Sequence, residues 1–185
     1  MWASPLGLLL LLLGLTMAVA NVGADTYDER RVRHGARLFR ALLAADVDLP
    51  GKLGADGKLH LLVYGADAGL AAEIGELIAP KDAAPIQQLP VRVERIDALP
   101  EGANDAPVGL FLIEVPPNEE FERLVQWGIA NQVIVYSPFE GDVERGAMAG
   151  LSIEAKVLPY VNLNTLEASG VKLKPFFLKI AKQYR

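Results

Sequence analysis

The chain has 185 residues, 18 basic and 23 acidic, and a formal net charge of −5. It has no cysteine, which excludes disulfides, thiolate chemistry and sulfur-ligated metals. The total charge conceals a division: residues 25–45 carry a net +2, residues 46–170 a net −12, and residues 171–185 five basic and no acidic side chains. Two basic ends therefore flank an acidic middle.

From Met1 to Ala24 there is no Asp, Glu, Lys or Arg, and Leu6 to Leu15 is apolar throughout. With small residues at 18–20 and 22–24, this predicts a secretory signal peptide over residues 1–24, cut after Ala20 or Ala24. Only the α-amino group supplies the usual leading positive charge, so an uncleaved anchor is the alternative, although the apolar run is short for a span of about 20 residues. The remainder, residues 25–185, has the length of one domain with a good core.

Residues 28–45 predict an amphipathic helix with Val32, Phe39 and Leu43 inward and Arg33, Arg37 and Arg40 on another face. A turn-rich connection follows. Residues 58–64 form a nearly continuous apolar strand of the kind buried on both faces, and residues 68–78 repeat Leu70, Ile74, Leu77 and Ile78 at helical spacing. Alternation over 89–96 gives a half-exposed strand, which Pro90 assigns to an edge. Residues 108–115 are a central strand, 117–131 a helix with Phe121, Leu124, Val125 and Ile129 inward, and 132–137 a further apolar strand. This order predicts a single compact α/β domain, a largely parallel sheet flanked by helices, with amphipathic helices at both ends.

In the last quarter, residues 151–157 read as a strand. Asn164 with Glu167 is a variant capping box that opens a helix stopped by Gly170. Pro175 suits the first turn of a final helix with Phe176, Phe177, Ile180 and Tyr184 on one face, leaving Lys174, Lys179, Lys182 and Arg185 elsewhere. The run Val161-Asn-Leu-Asn-Thr-Leu-Glu-Ala-Ser-Gly-Val-Lys-Leu173, followed by Phe177-Leu-Lys-Ile-Ala181, resembles the C-terminal signature of the YfiR-like family over about 25 residues. The resemblance implies an α/β fold and a periplasmic regulator that binds the extracytoplasmic part of a membrane signalling protein of the GGDEF or kinase type. In the best-known case that partner is a diguanylate cyclase, with effects on cyclic di-GMP. Some relatives carry disulfides; this chain cannot.

Chemistry-bearing residues are few. His34 and His60 are expected to be surface or packing histidines, no nucleophile elbow or His-Glu-x-x-His is present, and no enzyme, cofactor or metal is expected. The turn at Gly65 to Gly69 could present N–H groups to an anion, or Asp67 could simply cap the next helix, which is the favoured reading. The 138–150 loop, with Glu140, Asp142, Glu144 and Arg145, follows a strand C-terminus and is expected to bind a partner. Replacing Asp142 and Arg145 together is expected to weaken capture without lowering thermal stability. Arg33, Arg37, Arg40, Lys179, Lys182 and Arg185 either neutralise the acidic middle or meet an anionic partner or membrane surface. No nucleic-acid partner is expected. The rival to a regulator is a periplasmic solute-binding protein, with its ligand near Gly65 and the 138–150 loop.

Overall fold

The computed structural model describes residues 22–81, 85–99 and 107–185. The signal-peptide expectation lies largely outside these residues. The described chain begins with α1 (Val22–Ala45), six residues longer at its start than the amphipathic pattern requires. It continues through a short 3₁₀ turn (Leu49–Lys52), β1 (Leu59–Tyr64), α2 (Ala68–Ile78), β2 (Val91–Ile96), β3 (Gly109–Leu112), α3 (Asn118–Asn131) and β4 (Ile134–Ser137). It then forms β5 (Ala149–Ile153), β6 (Val157–Asn162), α4 (Leu163–Ser169), α5 (Pro175–Ile180) and β7 (Lys182–Tyr184).

These strands make one seven-stranded sheet in the order β2-β1-β3-β4-β5-β6-β7. Every neighbouring pair is parallel except β5–β6, an antiparallel hairpin. β2 is an edge strand, as Pro90 required, and β7 is the other. The fold is thus a single α/β domain, as the alternation of elements predicts.

Each central strand feeds two cores because successive side chains point to opposite faces. Leu59, Leu61, Val63, Phe111, Ile134 and Tyr136 pack with Val32, Phe39 and Leu43 of α1 and Ile74 and Ile78 of α2. Leu62, Leu110, Leu112, Val133 and Val135 pack instead with Phe121, Leu124 and Val125 of α3. Phe39, Phe111 and Tyr136 meet at centroid separations of 5.3–5.5 Å. Gly109 makes this possible: a Cβ there would stand 2.5 Å from the Phe39 ring.

The last quarter departs from the expected pattern in three ways. The strand read over 151–157 is two strands, with β6 running through Pro159 to Asn162. Because β6 ends at Asn162, that residue and not Asn164 is the N-cap of α4, accepting from the Thr165 N–H at 3.0 Å. Gly170 closes α4 in the left-handed conformation, at φ 72°. The final helix is only six residues long: Phe177 is buried, Phe176 and Ile180 are 61% and 58% exposed, and Tyr184 lies in β7. The free edge of β6 offers ladder bonds to Lys182–Tyr184, and those replace continuation of the helix.

Candidate functional site

Open parallel sheets place ligands outside the C-terminal ends of their strands, and two places here have that position. The first, the turn after β1, is already filled. Asp67 accepts from Leu70 N–H at 2.9 Å and caps α2, while the Glu114 carboxylate accepts from Ala66 N–H at 3.0 Å. Arg95 holds the Gly65 carbonyl at 3.0 Å. The donors that would have met an anion are taken by the protein's own side chains.

The second place is the loop after β4, and it is tightly held. Asp142 is 2% exposed; it accepts from the Ser137 hydroxyl at 2.6 Å and from Arg145 Nη1 at 2.8 Å. Arg145 also donates to Asn118 Oδ1 at 2.9 Å and stands 4.3 Å over the Phe121 ring. From the C-terminal signature, Asn162 Nδ2 donates to the Val143 carbonyl at 2.7 Å and Thr165 Oγ1 to the Gly146 carbonyl at 3.0 Å. Asn162 therefore serves twice, as the cap of α4 and as a tie to the loop.

These contacts correct the expectation for Asp142 and Arg145. Asp142 is a buried pin whose carboxylate has two internal donors, so replacing the pair loosens the loop and lowers stability. Glu140 and Glu144 are the exposed carboxylates of the loop. Glu144 accepts from the Tyr160 hydroxyl at 3.0 Å, and burial, followed by this carboxylate, pushes the Tyr160 pKa up to about 12.

Between the loop, the start of α1 and the β5–β6–β7 end lies a cavity of about 300 Å³, lined by Arg31, Phe139, Glu140, Glu144, Tyr160 and Lys182 among others. Lys182 stands 4.9 Å above the Tyr160 ring and pairs with Glu154 at 3.0 Å, which holds the Glu154 carboxyl below its ordinary range. Arg31, absent from the sequence-derived site, is 4% exposed and donates to the Pro138 carbonyl at 2.9 Å. Its signal was available in the spacing: Arg31, Gly35 and Phe39 recur every four residues, which places the arginine in line with the buried stripe.

The basic residues do not form one set. Arg33 binds Glu73 at 2.5 Å and Glu29 at 3.1 Å, and Arg40 donates to the Ile78 carbonyl at 2.6 Å, so both are engaged on or toward α2. The Glu73 carboxyl is lowered by its bond to Arg33. Lys182 is committed to Glu154, while Arg37, Lys179 and Arg185 are exposed. His34 is exposed, and His60 stands 3.0 Å from Glu94 and 3.2 Å from Arg92 on the β2 side of the sheet. Among the described residues no group of three or more His, Asp and Glu is placed to hold a metal ion, and no helix is long and apolar enough to cross a membrane.

No family model and no curated protein matches this chain. Among solved structures it is similar to a chain described as the ABC domain in complex with L-Trp from Streptococcus pneumonia, at 14% identity and a TM-score of 0.49. That likeness covers 77% of this chain, which spans 60% of the other.

Proposed function

We propose that this protein is an exported, non-enzymatic regulator that binds the extracytoplasmic part of a membrane signalling protein, as its resemblance to the YfiR-like family implies. The observation that carries the reading is the work done by the residues of that resemblance. Asn162 and Thr165 fasten the 138–148 loop, so the signature serves to present a rigid surface at the strand ends. Surfaces of this kind bind well because little conformational freedom is lost on association. Glu140 is exposed on that surface and is the residue we assign to partner contact, with Glu144 beside it. Regulation follows if the loop meets one state of its partner better than another.

The test is cross-linked capture from membranes by the exported protein, alongside E140R. A membrane protein with a GGDEF or kinase domain should be enriched by the native chain and at least tenfold less by E140R. Equal recovery with E140R would remove the loop, and no enrichment of such a protein would remove the regulator reading. Fractionation should place the mature chain in the periplasm.

A further inference from the structure

Arg31 is a buried cation, 4% exposed, in the lining of the cavity beside the loop. It forms no ion pair among the described residues: Nε donates to the Pro138 carbonyl at 2.9 Å, Nη1 reaches the Tyr27 hydroxyl at 3.4 Å, and Nη2 donates to no protein group. A guanidinium has five N–H donors, and a buried charge without a partner is costly. Arg31 lines the cavity of about 300 Å³, a volume suited to a small organic molecule. The charge of Arg31 also acts on Tyr136, whose hydroxyl is buried with no hydrogen-bond partner among the described residues.

The rest of the lining restricts what can enter. Lys182, the other cation, is already paired with Glu154, whereas Arg31, with the Pro138 carbonyl, the Tyr27 hydroxyl and the Tyr27 ring for company, is the cation of the lining without an ion pair among the described residues. Glu140 and Glu144, both exposed, also line the cavity and disfavour a doubly charged anion such as phosphate. They favour an O–H or N–H donor at the far end of whatever Arg31 holds.

We infer that this cavity binds a small organic monocarboxylate, its carboxylate on the Nη1–Nη2 edge of Arg31 and its far end donating a hydrogen bond to Glu140 or Glu144. A carboxylate matches the planar fork of a guanidinium and supplies the missing counter-charge. Because Arg31 also holds Pro138, the occupant fixes the start of α1 to the loop. The two readings share Glu140 but are tested apart: the E140R capture experiment addresses the regulator, and the Arg31 signal addresses the cavity.

The experiment follows the ¹⁵N Nε–H signal of Arg31 and the thermal midpoint of the purified protein. Acetate, 4-hydroxybutyrate and inorganic phosphate are titrated to about 0.1 M against sodium chloride at matched ionic strength, so that a Kd of about 10 mM approaches saturation. The expected result is a saturable shift of the Arg31 signal and a rise in midpoint, larger with 4-hydroxybutyrate than with acetate and no larger with phosphate than with chloride. R31Q should abolish the midpoint rise. The E140Q/E144Q pair should retain acetate binding and narrow the advantage of 4-hydroxybutyrate, a readout that survives if R31Q fails to fold. No carboxylate-dependent shift of the Arg31 signal, or a larger one with phosphate, overturns the assignment.

Discussion

Asp142 shows how much depends on one side chain's surroundings. In sequence it is one of three carboxylates on alternate residues among glycines, the pattern of a solvated connection. In the structure it takes two donors while almost fully buried, and Glu140 and Glu144 on either side point outward. That difference was not legible because Ser137, the donor that draws Asp142 inward, belongs to the preceding strand. Asp142→Ala leaves the Ser137 hydroxyl and Arg145 Nη1 without their acceptor, and unfolding in urea should show a loss of about 1–3 kcal/mol. Tyr160 adds a pH dependence of known sign. Its folded pKa of about 12 lies above the unfolded value of about 10, so the stability from its neutral phenol is complete below pH 10 and is lost as pH rises through 12. Burial raises Tyr64 and Tyr136 as well, so the alkaline decline persists in Tyr160→Phe. It should nevertheless be shallower between pH 10 and 12 than in the native chain, and parallel urea-midpoint curves would remove Tyr160 from the account.

Among the elements, those buried on both faces were the most legible, because β1, β3 and β4 are apolar runs too short for helices. The C-terminal elements were harder. Pro159 reads as the end of a strand, yet it lies opposite Leu151 in a non-hydrogen-bonded pair: Glu154 bonds Lys156 and Asn162 bonds Met148, which places Pro159 on the alternate positions. β7 pairs only from Tyr160 onward, so the missing N–H of Pro159 breaks no ladder bond. The final apolar residues have helical spacing, but a strand partner competed for the last of them, and no local pattern reports a free edge whose pairing residues lie 22 positions upstream. If β7 contributes what its pairing implies, a chain ending at Ile180 should exchange its β6 amide hydrogens faster while β1 and β3 keep their protection. Uniform acceleration across the sheet would instead mean that the whole domain depends on β7.

For the molecule as a whole, the alternation of elements was enough to predict a largely parallel α/β sheet, since that order admits few arrangements. The candidate site was legible only as a location, the loop after β4. Its buried arginine and its cavity required knowing that the start of α1 crosses that loop. The two cores share β1, β3 and β4, each strand contributing side chains to both. Phe39→Ala on one face and Phe121→Ala on the other should therefore lower a single transition, each by about 3–5 kcal/mol. The calorimetric and van't Hoff enthalpies should agree in both variants. Two separable transitions would show that the sheet does not couple its faces.

The placement of Pro159 bears on colloidal behaviour as well as on topology. Sheet edges are templates on which other chains assemble, and β7 pairs only with Tyr160, Val161 and Asn162, leaving the first half of β6 without a strand partner on that side. There the backbone nitrogen that an incoming strand would need as a donor is a proline nitrogen, and the strand that does close the edge begins with a lysine. In a chain without cysteine, the same residue that disguises β6 in the sequence thereby withholds a donor on which a neighbour's strand would build.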